Sequence, residues 1–424
     1  MRDYAKLMAS CGVEEYLVTE TVYESAELFF VKKKLDMRRA RKTAEASVIV
    51  YKTFEDGGEK RKGNATFVLN LSDSDEEATA KIKAALFSAG FVKNKYYEFP
   101  AGVKASEAVM ESDLNGPELS EIALKFADAV YEEDKDEKSF INSLEIFAVE
   151  KHVHTISSHG TDVAYVKREV NGEFVAQCKE PEDVETYQDF EYDSLALDEI
   201  RALVKRTLDM TKDRAAAKEM PKAGNYDVVL SDKYVSELFS FYANRANAGS
   251  IYPGYSDFKV GDSVQGEDIK GDKLNVRFGV NAPFNEEGIP RKERSFIENG
   301  VLKTIHGNVR FSYYLGVEPI GTYWKLLVSP GMAAFSDMLN RPCLHVVNFS
   351  DFQMDEDDGH FKGEIRLAYL YDGKGNVKFV TGGSINGSIF EAQKDFVLSK
   401  ETQKLAWYEG PRAVLLKNVA VAGE

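Results

Sequence analysis

NAPFNEEGIPRKERSFIENGVLKTI, residues 281–305, joins two different kinds of chain in one short segment. Its second half alternates apolar and polar positions around Asn299-Gly300, the dipeptide that most readily takes the two positive φ angles of a tight hairpin turn. Arg294–Ile297 and Val301–Ile305 are therefore expected to pair as strands. The first half, Phe284–Pro290 (FNEEGIP), is acidic and carries a Gly and a Pro that strand pairing does not require. Composition alone makes it a solvated loop leading into a hairpin.

The same alternation continues around this segment. From Tyr226 onward short strand-like runs dominate, with a second hairpin expected at Asp372-Gly373, and only Val235–Asn247 and Val309–Leu315 show helical spacing. Before it, Lys212–Asn225 (KDRAAAKEMPKAGN) is polar and Ala-rich, with Pro221 and Gly224, as a connection between domains tends to be. The expected division is an N-terminal domain over 1–211, a linker over 212–225 and a C-terminal domain over 226–424.

Within the first part, Ser74–Phe91 begins with Ser74 three positions ahead of Glu77, the reciprocal cap of a helix N-terminus, and ends at Gly90. A second helix follows Gly116-Pro117, with Leu119, Ile122, Phe126 and Val130 on one face and an acidic tail over Tyr131–Lys138. A third spans Leu197–Met210. Strands are expected over Tyr16–Val31, over Ala46–Leu71 with a turn at Asp56-Gly57-Gly58, over Leu144–Ile156, and over Tyr165–Gln177 with a turn at Asn171-Gly172. The fold class is α+β: an N-terminal helix and antiparallel-sheet domain followed by a mainly antiparallel β domain. No repeat of fixed period is present.

The chain has 424 residues, more than one hydrophobic core usually serves. Its 54 Lys and Arg against 70 Asp and Glu give a net charge of −16, which repels a phosphate backbone. Nucleic acid is disfavoured as a partner unless the average hides a local basic patch. No run of about 18 apolar residues is available to span a membrane, and MRDYAKLMASCG has the charge pattern of a first helix, not of a signal peptide. Cys11, Cys178 and Cys343 are odd in number, far apart and without CxxC spacing, which suits a reduced, cytoplasmic compartment.

Pro283–Leu302, with Glu287, Gly288, Pro290, Arg291, Ile297, Glu298, Asn299 and Gly300, resembles the segment PFDDEGVPTRRTxLIENGVL of the TldD/PmbA family. Leu326, Val328, Pro330 and Gly331 match its LxLxPG element. Gly359–Val377 and Gly382–Ile389 resemble its C-terminal glycine-rich elements, and Ser157-Ser158-His159-Gly160 stands for its NSxG. The resemblance covers nearly the whole chain and is strongest from Asn225 onward. It implies an α+β N-terminal domain and a β-rich C-terminal domain in a dimer enclosing a cleft.

TldD-type members are zinc metallopeptidases with HExxxH on a helix, where two imidazoles project from one face toward the metal and the Glu serves as base for a bound water. The matching positions here are Ser240-Phe241-Tyr242-Ala243-Asn244-Arg245. No HExxH or HExxxH exists in the chain, because none of its six histidines is followed by Glu. The sequence thus looks like the PmbA/TldE type, also labelled modulator of DNA gyrase. This type lacks the motif and pairs with a TldD-type subunit that supplies the zinc.

That resemblance implies no catalytic and no metal-binding residue in this chain and no cofactor of its own. Its partners would be a TldD-type subunit or a second copy, and a peptide. Asn244, Arg245, Glu286, Glu287 and Arg291 are the candidate substrate-binding residues, with Arg245 a permanent cation able to hold a carboxylate. Gly316–Tyr323 departs from the family's TGNxxR stretch, which puts further cleft contacts in doubt.

Other clusters read more plainly. His152 and His154 face one way on a strand and could share a metal, but an exposed strand pair is the simpler reading. Cys343 reads as a small buried residue beside a surface His345, and Asp355–Gly359 as a solvated acidic loop. Two further functions stay open: an autonomous metallopeptidase with an unorthodox metal site, and a protein-binding modulator without a peptidase role.

Overall fold

The computed structural model describes residues 2–70 and 72–424. The N-terminal half is built on a seven-stranded sheet whose long strands, Glu15–Val31, Lys34–Asp56, Glu59–Asn70, Ser139–Ser157, Asp162–Cys178 and Val184–Tyr192, pair antiparallel. In strands this long, alternate residues define two faces. Val18 and Leu28 point to one face, where helices Asp75–Ala89, Leu119–Glu133 and Leu197–Ala216 cover the sheet in two adjoining cores. Leu17, Ile49 and Tyr51 point to the other and pack on Ile289, Val309 and Tyr314 of the C-terminal half.

The C-terminal half holds two sheets. In one, Pro342–Met354, Gly224–Ser231, Ala413–Ala422, Ser384–Ser388 and His360–Asp372 follow one another, and the first strand also pairs with the last, so the five close into a ring. The other is a six-stranded sheet with Val276–Phe278 and Leu326–Val328 at its centre. Helix Lys233–Arg245 shares one apolar core with both: Phe239 and Tyr242 lie with Val228, Leu230, Phe361 and Ile365 of the ring and with Phe278 and Phe296 of the other sheet. Pairing is antiparallel except where Pro342–Met354 joins Gly224–Ser231 and Leu326–Val328 joins Tyr408–Pro411 in parallel. The α+β class stands as expected.

Several local expectations hold for the expected reason. Ser74 Oγ accepts the Glu77 N–H at 3.2 Å while the Glu77 carboxylate accepts the Ser74 N–H at 2.8 Å. Asn299 and Gly300 take φ of 51° and 79°, closing the hairpin between Arg294–Glu298 and Val301–Leu302. Val309–Leu315 is a helix with those bounds.

Others change. No turn forms at Asn171-Gly172: strand Asp162–Cys178 runs straight through, with Asn171 opposite both Phe147 and Glu191. Gly172 is needed there for space, since a Cβ would stand 2.2 Å from the Glu145 carbonyl oxygen and 2.6 Å from the Phe190 ring. The third helix continues to Ala216 because Thr207, Thr211 and Ala215 prolong its buried stripe. Both threonine hydroxyls are satisfied by carbonyls one turn back, at 2.9 and 2.7 Å. The helix expected over Val235–Asn247 is Lys233–Arg245. His345 is buried, not on the surface; its Nε2 lies 2.9 Å from Ser231 Oγ, and burial pushes its pKa down to about 4. The turn expected at Asp56-Gly57-Gly58 within Ala46–Leu71 does form, but the strand before it starts at Lys34, and the last position, Leu71, lies outside the described residues.

Candidate functional site

Helix Lys233–Arg245 begins at Asp232, a non-glycine residue with φ 56° and ψ −129°. Its side chain caps no helix N–H and serves the two halves instead. Asp232 Oδ1 accepts from Arg412 Nε at 3.2 Å and lies 3.7 Å from Arg206 NH2 on helix Leu197–Ala216. Its Oδ2 accepts from Ser231 Oγ at 3.1 Å. A rare backbone conformation held by such a clamp fixes where the helix starts.

From that start, Val235, Leu238, Phe239 and Tyr242 turn into the core, and Lys233, Ser236 and Glu237 face a cleft of 750 Å³ between the halves. Asp189 and Glu191 line its far wall, and Gln403, Lys404 and the half-exposed Trp407 close its end. Burial, reinforced by Asp189 and Asp351 and opposed by Lys233, pushes Glu237 up to about 7. Glu191 is also raised, by burial and then by Glu169.

The positions that would carry HExxxH lie one to two turns further along. Ser240 Oγ donates to the Glu237 carbonyl at 2.7 Å, and Phe241 is buried in the core. The Arg245 side chain is 6% exposed and its guanidinium is committed: NH1 donates to the carbonyls of Tyr255 and Asp357 at 2.8 Å each, and NH2 pairs with Asp257. The rings of Phe241, Phe258 and Phe390 surround it at 5.3–5.9 Å. Asn244 donates its side-chain amide to Glu356. A zinc site needs imidazole, thiolate or carboxylate donors. A phenyl ring offers none and a permanent cation repels the metal, so these residues do not fit zinc. Among the described residues no group of three or more His, Cys, Asp and Glu side chains is placed to hold a metal. His152 and His154 do not converge: the first meets Glu150 and the second Asp162, each at 2.8 Å.

The Phe284–Pro290 loop is not a loose solvated turn. Asn285 is buried, and its Oδ1 accepts the N–H groups of Glu287 and Ile289 at 3.0 and 2.7 Å, an Asx turn that organises the whole stretch. Gly288 takes φ 75° and presses against Thr161 of the N-terminal half, where a Cβ would come within 2.3 Å of Cγ2. The Glu287 carboxylate accepts the Val309 N–H through both oxygens, at 3.2 and 3.1 Å, and burial pushes it up to about 7. Arg291 donates to Asn281 Oδ1 at 3.0 Å and to the Thr322 carbonyl at 2.9 Å, and meets the exposed Glu286 at 3.3 Å.

Beside the loop lies a cavity of 180 Å³ walled by Leu17, Phe99, Val103, Ile289 and Val309, with Tyr16, His159 and Glu287 among its lining. His159 Nε2 is buried without a hydrogen-bond partner, and burial lowers its pKa. The structure therefore brings Glu286, Glu287 and Arg291 together and sets Asn244 and Arg245 apart, against Asp257 and the 355–358 turn. Among the described residues no hydrogen bond or ion pair links the two groups. Asp232, Glu237 and the cleft wall of the Val184–Tyr192 strand were not singled out from the sequence. An acid after a strand, or one on a helix, carries no local signal of its burial.

The architecture is thus two sheets on a shared helix, joined to an antiparallel sheet domain, with no set of zinc donors on that helix among the described residues. Residues 223–423 match the family described as PmbA/TldA metallopeptidase C-terminal domain. The C-terminal half is thus similar to that family's domain, and the fold along the full length is similar to that of solved TldE.

Crystal structures similar to it include TldE from Thermococcus kodakarensis, at TM-score 0.78 and 17% identity over 99% of this chain and 100% of that one. A "putative modulator of a DNA gyrase" from Thermotoga maritima matches at 0.77 and 18%, over 99% of each chain. A protein of Bacteroides thetaiotaomicron described in similar words matches at 0.75 and 16%, over 100% of each. No curated protein matches the chain.

Proposed function

We propose that this chain is the non-catalytic companion of a TldD-type zinc metallopeptidase, completing a cleft that binds extended peptide while the hydrolytic step lies with the partner subunit. The observation that carries the reading is the helix Lys233–Arg245. It presents Ser240 and Arg245 where the two imidazoles of the resembled motif would stand and Phe241 where its general base would, and Arg245 is spent on fastening the 255–257 and 355–358 turns.

The exposed Glu286 and the half-buried Asn244 are the groups offered to a peptide. Arg291, Glu287 and Arg245 hold those surfaces from behind through the contacts described above. The interdomain cleft along Lys233, Ser236 and Glu237 gives the room an extended chain needs.

To test this, the purified chain is mixed with the HExxxH-bearing homologue of the same genome, and both complex formation and cleavage of unfolded peptides are measured. A stable complex with cleavage well above that of the homologue alone is expected. Neither complex nor stimulation overturns the proposal.

A further inference from the structure

The pairing of the N-terminal sheet leaves one strand half-used. Strand Lys34–Asp56 pairs with Glu15–Val31 from Lys34 to Tyr51 on one side, but on the other it meets Glu59–Asn70 only from Glu45 to Asp56. Residues 34–44 thus present an outer edge with no strand beside them among the described residues. At about 3.3 Å per residue the vacant edge is roughly 30–35 Å long. Residues 34–42 are exposed without interruption.

The charge of this edge is opposite to that of the protein. Residues 32–42 read KKKLDMRRARK, seven Lys and Arg against the single Asp36, in a chain of net charge −16. Three of these cations are already paired: Lys33 with Asp134, Arg39 with Glu27 and Lys42 with Glu24. Lys34, Arg38 and Arg41 have no carboxylate partner among the described residues. Arg41 and Thr43 also line an open hollow of 760 Å³ that runs from this strand over the face of the sheet to Tyr23, Glu27 and Phe147.

We propose that this edge binds an acidic, extended polypeptide segment by strand addition, continuing the row that Glu59–Asn70 begins. Main-chain hydrogen bonds to the vacant edge supply the docking, and Lys34, Arg38 and Arg41 select a negatively charged segment. The charge excludes a second copy paired edge to edge, because like charges would then stand opposite one another across the new ladder. A phosphate backbone would satisfy the cations but leave the unpaired backbone N–H and C=O groups of the edge without partners, so a peptide is the occupant the geometry favours.

The test uses the full chain alone, without any peptidase partner, so its outcome is independent of the cleavage assay above. Fluorescence anisotropy is recorded with a labelled peptide of about ten residues alternating Glu and Thr, with the same peptide N-methylated at alternate amides, and with labelled oligothymidylate. The account expects the plain acidic peptide to bind, to weaken as salt rises, and to lose about tenfold or more in affinity in the double variant Arg38→Glu, Arg41→Glu. The N-methylated peptide, unable to complete the ladder, is expected not to bind. Equal binding of the two peptides, no effect of the double variant, or binding of oligothymidylate alone overturns it. Both substitutions lie at exposed positions, and an unchanged thermal midpoint shows that the variant is folded.

Discussion

Arg245 shows how one substitution changes what a helix is for. At the position where the resemblance to TldD-type proteins would put an imidazole, this chain has a guanidinium among three phenyl rings, bonded to two backbone carbonyls and to Asp257. Removing it strands those carbonyls and opens the ring cage, although the partner Asp257 is exposed and returns to water at little cost. Arg245→Ala is expected to destabilise the chain by about 2–3 kcal/mol, read from urea denaturation, without creating zinc affinity.

Buried titratable groups give a second prediction at this scale. Glu287 holds its proton up to about pH 7 in the folded chain, whereas unfolded it releases it near 4.5. The folded state therefore binds more protons across that window, and the resulting stability is full below about 4.5 and lost as pH rises to about 7. His306 and His345 act in the opposite sense. Their folded values near 4 lie below 6.5, so their stability is full above 6.5 and is lost as pH falls toward 4. The opposed slopes partly cancel in the native protein. Glu287→Gln keeps an acceptor for the Val309 N–H and removes the titration. The variant is expected to gain up to about 3 kcal/mol relative to the parent at pH 8 and nearly nothing at pH 4.5, by denaturation at the two values.

At the scale of elements, what was legible in the sequence was whatever local chemistry decides. The Ser74–Glu77 cap, the Asn299-Gly300 turn and the helix Val309–Leu315 each rest on residues within a few positions of one another. Asn171-Gly172 has the composition of a turn but lies between two neighbouring strands, and long-range pairing overrides the local preference. Its glycine answers to the Phe190 ring and the Glu145 carbonyl, which no local pattern reveals. Gly172→Ala is accordingly expected to cost about 2–3 kcal/mol through overpacking, measured as a lower urea midpoint, although Ala suits a strand no worse than Gly. The Phe284–Pro290 loop was visible as a departure from strand pattern, but its order comes from Asn285 capping its own loop and from Thr161 pressing on Gly288.

Taken as a whole molecule, the two halves meet through polar and apolar contacts at once. Asp232 sits between Arg206 and Arg412, and Asp193 faces Lys325 and Lys404 at 3.7 and 3.5 Å. Tyr369 donates to Asp213 at 2.8 Å, and Leu17, Tyr51 and Tyr97 pack on Val309. Composition foretold none of this, because all but the Arg206–Asp232 pair join residues more than a hundred positions apart. What the sequence did carry was the absence of a metal motif from all six histidines, and the structure adds what replaces it. The central claim is that this chain supports hydrolysis performed elsewhere. Its most direct test is the rate at which the HExxxH-bearing partner cleaves an unfolded peptide with and without an equimolar amount of this chain. The account predicts a marked rise in rate on addition, with no cleavage by this chain alone. An unchanged rate, or cleavage by the isolated chain, would contradict it.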